Sequence, residues 1–153
     1  MDKTIKIWKE NNNYKNIKIL KHSSWIYSLL LLEDKNILIS CGWDGTKLWN
    51  YIEINNINLI KEFTETSCQW NQGLCRLNHD IIIVNGKEGN NLLILISISK
   101  KEIINIIDNP FQCFAISLIE NKGIFLVGGW SNDIPILTYI KHHLFFYYFF
   151  INI

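Results

Sequence analysis

The stretch Leu32-Glu-Asp-Lys-Asn-Ile-Leu-Ile-Ser-Cys-Gly42 is a polar turn followed by a short apolar run that ends in glycine. The same pattern returns as Leu77-Asn-His-Asp-Ile-Ile-Ile-Val-Asn-Gly86 and as Ile119-Glu-Asn-Lys-Gly-Ile-Phe-Leu-Val-Gly-Gly129. The closing glycines are 44 and 43 residues apart, a period that is typical of repeat folds. The chain is therefore predicted to consist of units of about 43 residues.

Outside these segments the apolar runs are also short and rich in isoleucine, and clusters of Asn, Gly, Asp and Lys separate them. Short apolar runs at this spacing are typical of all-β proteins. The predicted strands are 3–9, 17–20, 26–32, 37–41, 47–50, 59–63, 73–77, 81–85, 92–97, 103–107, 113–119, 124–128 and 134–139. A unit of about 43 residues that holds four short strands has the size of one propeller blade.

Two segments resemble the close of a WD40 repeat, namely Asp2-Lys-Thr-Ile-Lys-Ile-Trp8 and Asp44-Gly-Thr-Lys-Leu-Trp49. Between them, Leu20-Lys-His22-Ser-Ser-Trp-Ile-Tyr-Ser28 resembles the opening strand of that family with the histidine that precedes it. The resemblance is specific over residues 1–50 and weaker over 59–140, where Gly42-Trp43 has a counterpart in Gly129-Trp130. It implies a WD40-like β-propeller.

The resemblance also implies a structural tetrad, a hydrogen-bonded chain of His22, Ser40, Asp44 and Trp49 within one blade. An imidazole, a hydroxyl, a carboxylate and an indole N–H can satisfy one another inside an apolar sheet. Asp2 and Trp8 form the corresponding blade-ending signature and are six positions apart, whereas Asp44 and Trp49 are only five apart. A one-residue slip reverses the face on which a side chain lies, so either a bulge absorbs the difference or this tetrad is imperfect.

The repeat divides residues 1–140 into 1–16 as the end of a blade, 17–58 and 59–107 as blades, and 108–140 as an incomplete blade. About 3.6 repeats give an incomplete ring, because known propellers close with four to eight blades. We therefore expect a fragment of a longer protein whose open blade edges allow self-association. The apolar aromatic tail 141–153 breaks the repeat and is expected to lie outside it, as non-native residues added where a longer reading frame was interrupted. An interfacial anchor and a strand that packs on the last blade are the alternatives.

The 153 residues carry a formal net charge of +1, too little for a charge-driven binder of nucleic acid or of an anionic membrane. Residues 1–8 contain no apolar stretch of the kind found in a signal peptide. The four cysteines, Cys41, Cys68, Cys75 and Cys113, form no CxxC pair and are expected as reduced thiols in a packed core. A cytoplasmic location follows as an expectation, with the nucleus as the alternative.

No group of residues has the spacing of a catalytic or metal site. None of the four histidines and four cysteines forms a pair with the short ligand spacing of zinc, and no known nucleophile signature surrounds any cysteine. Residues 86–89 lack the order of a phosphate-binding loop and are predicted to be a turn. We therefore expect a protein that is not an enzyme and uses no cofactor or metal.

Four tryptophans are candidates for a partner-binding rim: Trp25, Trp43, Trp70 and Trp130. Under the repeat Trp25 aligns with Trp70 and Trp43 with Trp130, at positions that face the partner-binding surface in the WD40 family. Large aromatic side chains there act as hot spots, although the same residues can also fill gaps between blades. The predicted function is a non-catalytic scaffold for protein or peptide partners.

Two alternatives stay open at this point. One is a small-molecule-binding or catalytic propeller, which a pocket that gathers His79, Asp80 and Glu88 would favour. The other is a membrane-peripheral module anchored by residues 144–151, which are too few to span a bilayer as a helix.

Overall fold

A computed structural model describes most of the chain as β-structure. The residues described are 2–10, 14–53, 56–68, 73–87, 91–108, 113–119, 124–129, 136–140 and 143–147. Within these ranges the only helix is the single 3-10 turn Glu33–Lys35, and no described helix is long and apolar enough to cross a membrane. The prediction of an all-β chain is confirmed.

The strands follow one another along the chain with short connections. They are β1 (Thr4–Lys9), β2 (Lys15–Lys21), β3 (Ile26–Leu32), β4 (Ile37–Gly42), β5 (Gly45–Asn50), β6 (Asn58–Phe63), β7 (Leu74–Arg76), β8 (Ile81–Asn85), β9 (Leu92–Ser97), β10 (Glu102–Asp108), β11 (Cys113–Ile119), β12 (Ile124–Gly129), β13 (Ile136–Ile140) and β14 (His143–Tyr147).

These strands form separate antiparallel sheets in which each strand pairs with its neighbour in sequence. Sheet 1 contains β1 and β2, sheet 2 contains β3 to β6, sheet 3 contains β7 to β10, and sheet 4 contains β11 to β14. Each complete sheet is thus a four-stranded meander, which is the construction of a propeller blade. The predicted propeller-blade architecture is confirmed in this form.

The sheet boundaries differ from the predicted units by one strand. Strand β2 pairs with β1 and strand β6 pairs with β5, so the predicted blades 17–58 and 59–107 each begin with the last strand of the preceding sheet. The reason is that a sequence repeat has the same period wherever its first strand is placed, whereas hydrogen bonding fixes which strands share a sheet.

The tail also differs from its prediction. Residues 143–147 form β14, which pairs with β13 in a five-residue antiparallel register from Ile136 opposite Tyr147 to Ile140 opposite His143. Of the interpretations of the tail given above, the strand that packs on the last blade agrees with this pairing of 143–147. An apolar, β-prone run next to an unpaired strand edge satisfies the backbone groups of that edge.

The core lies between the faces of neighbouring sheets. In β4 the side chains alternate, so that Leu38 packs with residues of sheet 1 whereas Ile39 and Cys41 pack with residues of sheet 3. The buried members of the three described clusters are Ile5, Leu20, Trp49 and Ile57 in the first, then Leu32, Ile39, Cys41, Leu48, Phe63, Cys68, Leu74, Ile82, Val84, Ile94, Ile96 and Ile98 in the second, and finally Leu77, Ile83, Leu93, Leu95, Ile107, Ile116 and Val127 in the third.

An ion pair joins sheets 2 and 3 at the end where β3 turns into β4. The guanidinium of Arg76 donates to both carboxylate oxygens of Asp34, at 2.9 and 2.6 Å, and its Nε donates to the carbonyl of Asn78 at 2.9 Å. These hydrogen bonds hold the pKa of Asp34 below its usual 3.8. A bidentate pair of this kind fixes the β3–β4 turn relative to the end of β7.

Candidate functional site

His22 lies at the centre of a hydrogen-bonded chain in sheet 2. It precedes β3, and its ring reaches Ser40 in the middle of β4 and Asp44 in the turn that follows β4. Its Nε2 is 2.6 Å from the Ser40 hydroxyl and its Nδ1 is 2.7 Å from Asp44 Oδ1. The indole of Trp49 on β5 donates to the same Ser40 oxygen at 2.8 Å. The structure thus brings together the four residues of the predicted tetrad.

The protonation states follow from the donors and acceptors. Burial lowers the pKa of His22 below 6.5, although the hydrogen bond with Asp44 opposes part of this shift. In the neutral ring we assign the proton to Nδ1, which donates to Asp44, so that Nε2 accepts from the Ser40 hydroxyl. Ser40 in turn accepts the indole N–H of Trp49. Each polar hydrogen of the chain is satisfied in this arrangement.

Asp44, the last residue of the hydrogen-bonded series, accepts further hydrogen bonds from Ser23. The backbone N–H and the hydroxyl of Ser23 donate to its Oδ2 at 2.7 and 2.9 Å, and the ammonium of Lys47 lies 3.6 Å away. Burial opposes ionisation of Asp44, but the hydrogen bonds from His22 and Ser23 outweigh it and hold the pKa well below 3.8. Asp44 therefore carries a fixed negative charge that ties the residues before β3 to the β4–β5 turn.

The short spacing between Asp44 and Trp49 is accommodated in a tight turn. The pairing of β4 with β5 is regular from Ile37 opposite Asn50 to Gly42 opposite Gly45, so only residues 43 and 44 form the turn. Gly45 has a φ of +128°, where a side chain is strained. A Cβ on Gly42 would lie 2.5 Å from the Trp25 carbonyl oxygen and 3.2 Å from His22 Nδ1. Both glycines thus permit the close approach that the hydrogen-bonded chain needs.

Asp44, His22 and Ser40 are connected in the same order as the acid, base and nucleophile of a serine hydrolase. A nucleophile must be open to substrate, however, and Ser40 is fully buried. Its oxygen also accepts the indole N–H of Trp49, which further occupies the lone pairs that would attack. This arrangement can therefore hold strands together but cannot perform acyl transfer.

Asp2 and Trp8, the other predicted signature, have different surroundings. Asp2 is exposed and forms an ion pair with Lys6 at 2.8 Å, and hydrogen bonds from Lys6 and Thr4 lower its pKa. Trp8 is 55% exposed on β1, next to a shift in register between β1 and β2. The buried position of Trp49 is thus not repeated at Trp8.

Two of the predicted rim tryptophans, Trp25 and Trp43, lie side by side at the end of sheet 2. They are 45% and 40% exposed, and the backbone N–H of Trp43 donates to the carbonyl of Trp25 at 2.9 Å. The Trp25 ring also meets Tyr27 edge to face, with ring centroids 6.5 Å apart. We call Trp25 and Trp43 the rim tryptophans. Trp70 and Trp130 lie outside the described residues.

Residues 66–68 of the next connection pack against the turn that carries Trp43. The backbone N–H of Cys68 donates to the carbonyl of Gly42 at 3.0 Å, and the hydroxyl of Thr66 donates to that of Thr46 at 2.8 Å. Cys41 and Cys68 are joined by a disulfide bond. The expectation of reduced thiols is therefore wrong for this pair, because a separation of 27 residues in sequence gives no sign that the β6–β7 connection brings Cys68 to Cys41 on β4.

The other two cysteines do not take part in this bond. Cys75 is a free, half-buried thiol on β7, and burial raises its pKa. Of Cys113 only the backbone, in β11, is described.

Of the residues named for a catalytic or ligand-binding alternative, Asp80 has a structural role in the part of the chain that is described. Asp80 accepts hydrogen bonds from the hydroxyl of Ser97 at 2.7 Å and from the backbone of Ser99 at 2.8 Å, so it holds the β9–β10 turn. Glu88 lies outside the described residues. In the described part of the chain no three His, Cys, Asp or Glu side chains are arranged to hold a metal ion.

An apolar groove of about 330 Å³ lies between β1 and sheet 2. Ile5, Leu38 and Ile57, which line it, also belong to the core between these sheets. Ligand sites combine apolar walls with a few convergent polar groups, and this lining is aliphatic except for Lys6 and Tyr51.

Comparison with known structures identifies the class of fold. A chain in the crystal structure of the mitotic checkpoint complex superposes with a TM-score of 0.70 at 16% identity, over 86% of this chain and 41% of that one. The crystal structure of the C-terminal WD40 domain of Sif2 gives a TM-score of 0.63 at 16% identity, over 79% of this chain and 34% of that one. The fold is that of a divergent WD40 β-propeller. The chain spans less than half the length of either structure, and no family model or curated protein matches its sequence.

Proposed function

We propose that this chain is a non-catalytic WD40-like scaffold that presents its loops and rim to protein or peptide partners. One observation carries the proposal: two adjacent tryptophans are exposed at the end of a sheet while the backbone beneath them is fixed. Trp43 occupies a two-residue turn, and its N–H is bonded to the carbonyl of Trp25.

The surroundings of the rim tryptophans favour binding. The turn is braced on one side by His22 and Ser23, which bond Asp44, and on the other side by residues 66–68. A large aromatic side chain on a rigid backbone loses little conformational entropy when a partner covers it. Tryptophan is among the residues most enriched in interface hot spots for this reason.

The partner is expected to be recognised by apolar and hydrogen-bonding contacts. The net charge of +1 provides no strong field to attract a highly charged macromolecule such as nucleic acid. Ser23, which is exposed, and Ser24, which is half-buried, precede Trp25 and can add polar contacts at the edge of such an interface. We retain the cytoplasm as the proposed location, with the nucleus as the alternative. The Cys41–Cys68 disulfide removes the argument from reduced thiols, and the location is then compatible with the chain only if glutathione can exchange with this bond.

Selection of peptides from a display library against the folded chain tests the proposal. Selected peptides are expected to lose about tenfold or more in affinity for Trp25→Ala and Trp43→Ala, the usual scale of a hot-spot truncation. Trp8→Ala is the matched control, because Trp8 is at least as exposed as Trp25 and Trp43 but lies on β1. Circular dichroism checks that each variant keeps its β-structure.

The proposal fails if no peptide is selected, or if the selected peptides bind the Trp25→Ala and Trp43→Ala variants as well as the unchanged chain. Loss of binding in Trp8→Ala alone would place the interface on sheet 1 and would also contradict it.

A further inference from the structure

We propose that the Cys41–Cys68 disulfide is a redox-controlled lock on the rim tryptophans, and that closing it strengthens partner binding. This inference rests on the proposed function for its binding readout. Its structural basis, the attachment of residues 66–68 to the turn that carries Trp43, stands independently of any partner.

The disulfide lies directly beneath the rim. Cys41 is two residues before Trp43, and Cys68 donates its backbone N–H to the carbonyl of the intervening Gly42 at 3.0 Å. The hydroxyl of Ser67 lies 3.5 Å from the carbonyl oxygen of Trp43 itself. A covalent bond at this point therefore restrains both peptide groups that flank the rim residue.

The surroundings of the sulfurs suit both oxidation states. Cys41 and Cys68 are fully buried in the apolar cluster between sheets 2 and 3, where free cysteine packs as a small hydrophobic residue. The hydroxyl of Thr46 lies 3.2 Å from the sulfur of Cys41, which can accept a hydrogen bond as a thiol or as a disulfide. Residues such as Ile39, Leu48 and Ile82 keep the two sheets packed without help from the bond. Reduction is therefore expected to loosen residues 66–68 without dismantling the sheets.

The chemistry is thiol–disulfide exchange with a small-molecule disulfide such as oxidised glutathione. One cysteine thiolate attacks the glutathione disulfide, forms a mixed disulfide and releases one glutathione thiolate. The other thiolate then attacks the cysteine sulfur of the mixed disulfide, forms the Cys41–Cys68 bond and releases the second glutathione thiolate. The two protons lost by the cysteines are taken up by the two glutathione thiolates, and glutathione accepts the two electrons.

Since both sulfurs are buried, exchange requires residues 66–68 to move away from the turn at 42–46. The movement that admits glutathione is thus the same movement that frees Trp43. Cys75 is a poor competitor, since it lies on β7 within the separate cluster between sheets 3 and 4.

The test equilibrates the unchanged chain in glutathione buffers of graded ratio and quenches it with acid. Alkylation of free thiols followed by mass measurement gives the fraction of the disulfide. Amide hydrogen exchange at Trp43 and Cys68, together with the affinity of a display-selected peptide, is measured in the same buffers. We expect the oxidised chain to bind about tenfold more tightly and to exchange these two amides more slowly.

Two variants sharpen the test. Cys41→Ala/Cys68→Ala is expected to show the weaker affinity in every buffer, whereas Cys75→Ala is expected to behave like the unchanged chain. The redox titration of the unchanged chain decides the matter by itself if the double variant does not fold.

The outcomes separate the two proposals. Equal affinity and equal amide exchange in the oxidised and reduced chain overturn the lock while leaving the binding surface intact. Failure of the disulfide to form at any glutathione ratio also overturns it. Peptide binding that ignores Trp25 and Trp43 in both states contradicts the proposed function alone, and slower exchange in the oxidised chain then still supports the lock.

Discussion

Removal of a single oxygen atom, by Ser40→Ala, is predicted to destabilise the fold strongly. The Ser40 hydroxyl satisfies two buried partners, since it lies 2.6 Å from Nε2 of His22 and accepts the indole N–H of Trp49 at 2.8 Å. Both partners are 6% exposed and have little access to replacement water. A buried polar group left unsatisfied costs about 1–3 kcal/mol, so the loss of both bonds should lower the free energy of unfolding by about 3 kcal/mol.

A double-mutant cycle with Trp49→Phe isolates the indole part of this loss. The phenylalanine carries no N–H, so the Ser40→Ala/Trp49→Phe variant leaves only His22 unsatisfied. The double variant should therefore be less destabilised than the sum of the single variants, by about 1–2 kcal/mol. Urea unfolding followed by far-ultraviolet circular dichroism supplies the free energies, provided that the slope with urea stays constant across the four proteins.

Trp8→Phe is the matched control, because Trp8 is 55% exposed whereas Trp49 is buried. It should cost less than about 0.5 kcal/mol and add independently to Ser40→Ala. A cost of less than about 1 kcal/mol for Ser40→Ala, or strict additivity with Trp49→Phe, would refute the argument that this hydroxyl is a shared and irreplaceable partner.

Two further predictions concern the same turn. Burial lowers the pKa of His22 below 6.5, so as the pH falls the unfolded chain binds a proton before the folded chain does, and stability should decline below about pH 6.5. The pKa of Asp44 in the folded chain lies well below 3.8, so stability should decline a second time as the pH falls below about 3.8. Urea unfolding from about pH 8 to about pH 3 detects the onset of both declines. His22→Gln should remove the first decline. Gly45→Ala should cost more than about 2 kcal/mol, because φ is +128° and a Cβ would collide with the Phe63 carbonyl. Gly128→Ala, whose Cβ would have no neighbour closer than 3.9 Å, should change stability by less than about 0.5 kcal/mol, and equal costs in thermal unfolding would contradict the steric explanation.

The repeat could be predicted from sequence because a glycine at or directly after the end of the second strand recurs in successive sheets, as Gly42, Gly86 and Gly129. The grouping of strands could not, since four strands in cyclic order have the same period whichever comes first. Strand β14 was hidden for another reason. Its residues belong to a run of continuous aromatic character, and such a run carries no signal of pairing register.

Some contacts within the site could likewise be predicted from the sequence, and others could not. The residues His22, Ser40, Asp44 and Trp49 were recognisable because their types and order resemble a known motif. The bond between Cys41 and Cys68 was not, because it depends on the β6–β7 connection packing against the end of β4, and no spacing in sequence encodes that contact. The motif residues also do not reveal that the disulfide and the His22–Asp44 hydrogen bond restrain the same β4–β5 turn, which carries Trp43.

Side chains alternate along β4, so the hydrogen bonds of Ser40 and the disulfide of Cys41 lie on opposite faces of the same strand. Ser40 points to the face where it meets His22 and Trp49, whereas Cys41 points to the face where it meets Cys68 and the next sheet. Since adjacent residues cannot move independently along a strand, loosening either side shifts the turn that both sides hold. Loss of the Ser40 network should therefore also speed amide exchange at residues 66–68, even though no side chain of that network belongs to sheet 3.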